Sequence, residues 1–379
     1  MISIRLLSAA LSLCASAAMA QVPKLKGFQT VDGQGHFAVP ERSVDYRWDS
    51  GRTVQVPKGQ WEAEAMPFTW DSSWSRIDMA KWVAPRPFAM GETEVSNREW
   101  WEFVQAGIDA ATGHAPRNFD YRPDKTDGSI ADLARLLDLP NPDSFESWTS
   151  VWIANKGYML FEYYGESILP GYGTWVKDFP LGFMAPFEDY YFAHPAYANY
   201  PVVGISQEQA NAFCRWKTDQ CRSQLEKFAR KTGTDGWYIG LPSEEQFVAA
   251  SMFMPDGKKK LEGYAPYLPF TRNSKGAFLL NYNAFLDQKE PNNSLGSDGA
   301  LITTQVYSYW PNQHGLYNLH GNVAEWTRSV DAESGLCLVK GGCYMDPAPC
   351  VWALSRTALP ANRRDSRVGF RMAVLQSGE

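Results

Sequence analysis

An α+β fold is predicted by three features of the chain. A Ser followed three residues later by Glu or Gln recurs at Ser96, Ser206 and Ser243. Each pair marks a helix start, because the two side chains satisfy each other's otherwise unpaired backbone amides. From Gly276 onward the apolar runs are short and broken by glycine, proline and asparagine, which reads as strand fragments joined by long turns. The 379 residues are 44% apolar and 14% aromatic, enough to build the core of one large domain or two modest ones.

Taken in order, the first twenty residues read as an export signal: Arg5, an apolar run from Leu6 to about Ala17, and Ala18-Met19-Ala20 before Gln21. Cleavage is expected after Ala20, which places the mature chain outside the cytoplasm, periplasmic or secreted. Lipidation at Cys14 is the alternative, although Leu13 stands where a lipoprotein signal carries a small residue. No later stretch is apolar enough to form a transmembrane segment. Residues 21–85 carry Trp48, Trp61, Trp70, Trp74 and Trp82 without a helical or strand period. They are expected to form an irregular extension whose tryptophans pack on the main domain, the other reading being an exposed aromatic platform.

Ser96 with Glu99 opens a short helix through Trp100, Trp101, Phe103 and Val104. An insertion follows from about 108 to 195, with one helix over 130–137 and then an aromatic tract around Trp175 and from Tyr191 to Tyr197. Ser206 with Gln209 opens a long helix whose Ala210, Phe213, Cys214, Cys221, Leu225 and Phe228 fall mainly on one face, ending near Gly233. A strand over 237–241 leads into a helix over 244–252, and strands are expected at 278–282, 300–306, 335–340 and 367–374.

The net charge of -6 and the absence of a basic stripe interleaved with aromatics exclude a nucleic-acid binder, and Lys258-Lys259-Lys260 reads as a solvated loop. Neither a dinucleotide fingerprint nor a phosphate loop is present. Without Cys14, five cysteines remain, an odd number in a compartment that permits disulfides. Cys214 and Cys221 lie about 10 Å apart along one helix, too far for a bridge, and read as core thiols.

The densest motif is Gly315-Leu-Tyr-Asn-Leu-His-Gly-Asn-Val-Ala-Glu-Trp326, answered by Val339-Lys-Gly-Gly-Cys-Tyr-Met345 and Val368-Gly-Phe-Arg371. It gathers the Asn318 amide oxygen, the Glu325 carboxylate and the carbonyls of Gly321 and Val323, an oxygen-rich set suited to a hard cation. The same pattern also reads as a tight turn into a buried strand. Together with Gly91-Glu-Thr-Glu-Val-Ser-Asn97, Pro201-Val-Val-Gly-Ile-Ser206, Ala212-Phe-Cys-Arg-Trp216 and Leu241-Pro-Ser-Glu-Glu245, these motifs resemble, in order, those of the formylglycine-generating enzyme family, the sulfatase-modifying-factor domain. The resemblance covers roughly residues 86–379. Within the insertion, the aromatic tract is similar to that of the gliding-motility and type IX secretion lipoproteins of the same superfamily, which are structural or assembly components.

The resemblance implies a C-type-lectin-like fold with little regular secondary structure, stapled by two calcium ions. One would be held by Asn318, Glu325 and the carbonyls of Gly321 and Val323, the other by Asn283, Asp298 and the carbonyls of Ala284 and Ala300. It also implies copper(I) held between two thiolates, which with molecular oxygen converts a substrate cysteine to formylglycine. In the family those cysteines lie three and eight residues after a Ser that follows Gly-Gly. Here Cys343 occupies the Ser place, and the two reactive places hold Asp346 and Val351. Cys350 lies one residue short of the second, so Cys343 and Cys350 are the remaining thiol candidates. Asp346 is a candidate general base with no nucleophile identifiable beside it. A structural bridge among Cys337, Cys343 and Cys350 is the leading expectation, inert thiols or a copper site the alternatives.

The five histidines, His36, His114, His194, His314 and His320, form no metal cluster, and His314 and His320 are read as loop hydrogen-bonders. Arg356 and Arg371 are read as buried anchors. Two functions follow: a non-catalytic exported scaffold that holds a protein partner of the cell envelope through the insertion, or an extracytoplasmic oxidoreductase acting on a thiol-bearing peptide or small molecule. Fold alone does not decide between them.

Overall fold

The computed structural model describes residues 22–31, 44–47, 53–56, 74–76, 85–112, 162–251 apart from 172, 180, 181, 183 and 193, residue 271, residues 277–284, and 299–377 apart from 313. In chain order its strands are β1 (Phe28–Val31), β2 (Val44–Arg47), β3 (Thr53–Val56), β4 (Trp74–Arg76), β5 (Phe88–Gly91), β6 (Glu162–Tyr163), β7 (Glu166–Ser167), β8 (Trp237–Gly240), β9 (Ala324–Val330), β10 (Cys337–Lys340), β11 (Ser355–Leu359), β12 (Val368–Gly369) and β13 (Ala373–Gln376). The helices are α1 (Asn97–Thr112), α2 (Thr174–Asp178), α3 (Ala185–Tyr190), α4 (Gln207–Thr232) and α5 (Glu244–Ser251). The expected helix at 130–137, the lysine run at 258–260, and Cys14, His36, His114 and Asp298 lie outside the described residues, as do Trp48, Trp61, Trp70 and Trp82.

All three helix starts carry the reciprocal cap. Ser206 N–H donates to Gln209 Oε1 at 3.0 Å and Gln209 N–H to Ser206 Oγ at 3.1 Å. The Ser96–Glu99 and Ser243–Gln246 pairs repeat the pattern. At its other end α4 stops on Gly233, whose φ of 69° suits glycine. The long helix buries Ala210, Phe213, Cys214 and Leu225 on the face its spacing predicts.

Two sheets frame the molecule. The first is antiparallel in the order β1-β5-β13-β8; the second runs β12-β9-β10-β11-β4, with β12 parallel to β9. The stretch read as an irregular extension therefore gives β1 to one sheet and β4 to the other. Pairings between positions so far apart in sequence leave no local period to read. Trp100 of α1 is fully buried, stacked on Phe213 of α4 with ring centroids 5.4 Å apart and edge-on to Phe370 at 5.9 Å. One core thus joins both helices to the segment between β12 and β13.

Three expected strands differ. Residues 278–282 and 300–306 are bends and turns: in the first, Leu279 N–H goes to Thr271 O and Asn281 O accepts Asn322 N–H, both at 2.8 Å, and in the second, asparagine side chains take over backbone groups. Asn322 Oδ1 accepts from Thr304 N–H at 2.7 Å, and Asn281 Nδ2 donates to Ile302 O at 2.9 Å. The run 367–374 divides into β12 and β13, one in each sheet, with Phe370 and Arg371 fully buried between them.

The described part of the insertion is tied to the core by backbone carbonyls. Trp100 Nε1–H reaches Ile168 O at 2.8 Å, Gln209 Nε2 reaches Ser167 O and Leu169 O at 2.6 and 2.8 Å, and Asn97 Nδ2 reaches Tyr191 O and Tyr197 O at 2.9 and 3.0 Å. Its aromatic residues turn inward: Trp175 and Tyr191 are buried with rings 4.8 Å apart. None of Cys214, Cys221, Cys337, Cys343 and Cys350 forms a disulfide. The bridge expected among the last three is not made, because Cys343 is turned into its own loop, its Sγ accepting Met345 N–H at 3.4 Å.

Candidate functional site

The three glycine motifs meet in one knot at the start of β9. Gly321 has φ +75°, and a Cβ there would lie 2.1 Å from Asn281 O. Only glycine lets the two chains approach so closely. Asn318 and Asn322, at φ 49° and 62°, complete the coil, since asparagine tolerates the left-handed region through local hydrogen bonds. The turn enters β9 at Ala324, the first of four buried residues that end with Thr327. Trp326 anchors the strand by donating Nε1–H to Ile205 O at 3.0 Å.

Glu325 and Arg371 are both fully buried and joined as a fork, Nε to Oε2 and the second guanidinium nitrogen to Oε1, each at 2.6 Å. Arg371 also donates to Gly91 O at 3.3 Å and Tyr317 O at 2.9 Å, so every arm of the guanidinium is used. Removing one partner would strand a buried charge at a cost of ~3–5 kcal/mol. Arg371 is thus the buried anchor its motif suggested; Arg356 is an ion-pair anchor but only half-buried, reaching Glu244 at 3.2 Å and Asp331 at 3.5 Å.

Sequence reasoning passed over Glu94. It is fully buried, accepts Asn322 Nδ2–H at 2.7 Å, and faces Asn318 Nδ2 at 3.3 Å. Two buried carboxylates, Glu94 and Glu325, therefore feel one guanidinium, which is hydrogen-bonded only to Glu325 of the two. Burial, with the nearby Glu325 charge adding to it against the pull of Arg371, lifts the Glu94 carboxyl to about 8. Burial raises Glu325 as well, with Arg371 drawing it back. The signal was present in part: the first motif carries Glu94 before Val95, with Glu92 two residues earlier, and the last carries Arg371 after Phe370.

The two expected calcium sets fare differently. In the second, Asn283 Oδ1 is a buried oxygen with no hydrogen-bond partner among the described residues, while Asn283 N–H donates to Asp346 O at 2.9 Å. An orphaned amide oxygen is what a hard cation would complete, while Asp298, the carboxylate of this set, lies outside the described residues. In the first, both oxygens of Glu325 are taken by Arg371 and the Asn318 amide nitrogen faces Val306 O at 3.1 Å. As placed, Asn318, Gly321, Val323 and Glu325 do not offer a carboxylate free for a cation. His320 sits beside them as a hydrogen-bonder, its ring nitrogens 2.7 Å from Val351 O and 2.9 Å from Ser251 O.

At the place of the reactive cysteines, Gly342 with φ +66° brings its loop against Cys350 O, 2.8 Å from where a Cβ would sit. Asp346 Oδ2 accepts Cys343 N–H at 2.8 Å, and Asp346 N–H returns to Cys343 O at 2.9 Å. The carboxylate thus closes a turn. Burial pushes Asp346 above the usual carboxylate range and pushes the Cys343 thiol well up, with the Asp346 charge adding to the latter. With Asp346 and Val351 at the two reactive places, the residues there supply no pair of thiolates and do not fit the copper(I) site. Among the described residues no three His, Cys, Asp or Glu side chains stand together as a metal cluster. Beside this turn, Phe179 stacks on Tyr344 at 6.4 Å, and Asp178 Oδ2 accepts Ser366 N–H and Oγ–H at 2.7 and 2.8 Å. The end of α2 is therefore fixed next to the loop that carries Cys343.

Two sheets with long interlaced turns, knotted by a Glu–Arg fork at a Gly-Asn-Val-Ala-Glu-Trp turn, define an α+β, C-type-lectin-like protein with modest regular secondary structure. The chain belongs to the sulfatase-modifying-factor family: the model of the sulfatase-modifying factor enzyme 1-like domain matches residues 40–375. It is similar to the formylglycine-generating enzyme of Streptomyces coelicolor, 28% identical over 247 residues, which cover 64% of this chain and 58% of that protein. It is also similar to the inactive C-alpha-formylglycine-generating enzyme 2 of Bos taurus, 25% identical over 153 residues, 39% of this chain and 40% of that protein. The chain thus spans between two fifths and three fifths of the length of these relatives. Among solved structures, PvdO from Pseudomonas aeruginosa aligns over 92% of this chain and 91% of its own at 16% identity, with a TM-score of 0.38.

Proposed function

We propose that this protein is a non-catalytic scaffold or binding protein, exported to the cell envelope, which uses the rigid fold of the formylglycine-generating enzymes to hold a protein partner. The observation that carries this reading is Asp346. It occupies the first reactive place and spends its carboxylate on closing the Cys343 turn, while Val351 fills the second place with a buried aliphatic side chain. Copper chemistry needs two thiolates at those places; the loop has neither, and its two cysteines, Cys343 and Cys350, lie elsewhere in it and are buried. A relative whose name marks it as inactive supports the same direction.

Calcium is part of the proposal as a staple of the turns rather than as a reagent, since turns with few ladder bonds gain most from a cation that collects their oxygens. Kinship with the gliding-motility and type IX secretion lipoproteins, through the aromatic insertion, is the narrower form of the reading. Trp175 and Tyr191 support it as packing residues rather than as a contact surface.

The test is a copper(I) titration of the reduced mature protein, followed by mass analysis of a cysteine peptide incubated with it in oxygen. No stoichiometric binding and an unchanged peptide are expected. Tight binding that is lost in Cys343→Ser or Cys350→Ser, with oxidation of the peptide, would establish the extracytoplasmic oxidoreductase instead.

A further inference from the structure

We infer that the loop tip over 307–310 is a docking platform for a segment of a protein partner that presents Lys or Arg, with Tyr307 and Trp310 offering their rings to the cation and Glu92 meeting its charge. The inference rests on the scaffold reading and says where, and by what chemistry, the partner is held. Trp310 is 66% exposed and Tyr307 58%, three residues apart on one short tip. Two large aromatic rings left in water side by side along a chain mark an interaction surface rather than packing. The tip is fixed from both ends. Val306 N–H donates to Asn199 O at 2.8 Å and Ser308 N–H to Gln305 O at 2.9 Å; beyond the tip, Asn312 Nδ2 donates to Ala250 O at 2.7 Å, and Asn312 Oδ1 accepts His314 N–H at 3.0 Å and Leu316 N–H at 3.2 Å. Between these anchors Tyr309 is held at φ 59°, in the left-handed region that a bulky side chain seldom enters. Aromatic side chains on a backbone fixed in advance lose little freedom on binding, which suits them to anchor an interface.

Charge selects the occupant. Glu92 is half-buried beside the tip, its Oε1 accepting Gln29 Nε2–H at 2.7 Å and its Oε2 the Tyr307 hydroxyl at 3.1 Å, both neutral donors. Partial burial, the bond to Glu92 and the charges of Glu92 and Glu99 raise the Tyr307 hydroxyl above its ordinary value, so it stays a donor to Glu92. Glu99, in the cap of α1, is therefore a second carboxylate on this flank. Arg98, next to it, is directed at Asn199 Oδ1 at 3.4 Å. The Tyr307 ring is steadied by Tyr317, edge-on with centroids 5.1 Å apart. Carboxylates beside exposed aromatic faces attract an ammonium or guanidinium group and repel an acidic partner. The platform shares no residue with the Cys343 turn.

The experiment titrates the mature protein into a fluorescein-labelled peptide of arginines spaced by glycines, read by anisotropy, beside the same peptide with citrulline, the neutral isostere, at every arginine. The arginine peptide is expected to saturate below about millimolar protein and to weaken as salt rises, the citrulline peptide to bind at least about tenfold more weakly. Trp310→Ala should weaken the arginine peptide about tenfold or more and leave the thermal midpoint where it is, since that side chain is exposed. Glu92→Gln keeps an acceptor for Gln29 and loses the charge, so it should weaken binding several-fold and flatten the salt dependence. Glu226→Gln removes an exposed carboxylate on α4 and should bind as wild type does. A Trp310→Ala titration that superimposes on wild type overturns the inference, as do equal binding of the citrulline peptide and a loss in Glu226→Gln equal to that in Glu92→Gln. So does saturation by a neutral glucan hexasaccharide, followed by calorimetry, where the arginine peptide does not bind. Each of these leaves the scaffold reading standing with its contact surface elsewhere, because that reading is decided by copper binding and peptide oxidation.

Discussion

At Gly321 the backbone itself is the constraint. Its φ of +75° costs an L-residue about 1–2 kcal/mol, and a Cβ would fall 2.1 Å from Asn281 O, where no side chain can swing aside. Gly335 has a comparable φ of +70° but nothing within 4 Å of the same position. Gly335→Ala should therefore lose about 1–2 kcal/mol in urea unfolding, the conformational cost alone. Gly321→Ala should lose more than about 3 kcal/mol, because the Asn281 segment must move as well. Equal losses would mean that the close approach is not rigid. Asp346 makes the complementary point about side chains: its carboxylate accepts Cys343 N–H at 2.8 Å and closes the turn on itself.

Elements divide according to how local their causes are. The reciprocal caps at Ser96, Ser206 and Ser243 lie three residues from their partners, so the sequence announces them and the structure has all three. Ser206→Ala removes the acceptor for Gln209 N–H at the head of α4 and should cost about 1 kcal/mol in chemical denaturation, with Ser206→Asp recovering most of it. No recovery would indicate that the hydroxyl matters for packing rather than capping. The strands β1 and β4 could not be read in this way, since each is defined by a partner far along the chain. Residues 278–282 and 300–306 look like strands in composition and are not: the side chains of Asn281 and Asn322 take backbone groups of the second, and the first bonds to Thr271 O and Asn322 N–H instead of to a ladder. The site follows the same rule. Glycine turns and the anchoring role of Arg371 were legible from the motifs. That Arg371 chooses Glu325, leaving Glu94 as the surplus carboxylate, depends on three segments meeting in space.

Over the whole molecule, the insertion and the C-terminal segment are locked by a charged network whose pH response can be worked out. Asp365 pairs with Arg367 at 2.7 Å and Arg363 at 2.8 Å, and Arg363 reaches on to Asp178 at 3.7 Å. Burial alone would raise Asp365, but the hydrogen bonds and charge of Arg367, with Arg363, outweigh it and hold the carboxyl well below its ordinary 3.8. The folded chain then binds fewer protons at this group than the unfolded chain, so stability from Asp365 is complete above the unfolded value and is lost as pH falls below it. Asp178 works in the opposite direction, raised by its burial and by the neighbouring Asp365 charge. A wild-type curve alone would therefore mix the two. Urea unfolding from about pH 6 down to about pH 2.5 should show Asp365→Asn less stable at the upper end by roughly 1–3 kcal/mol, and the gap narrowing below about pH 4 as the carboxyl of the unfolded wild-type chain takes up its proton. A gap that stays constant over that range would assign the loss to packing and remove Asp365 as the source of acid sensitivity. With closure of the gap, the acid limb of the protein is set where α2 of the insertion meets the turn before β12, and insertion and core unfold as one unit.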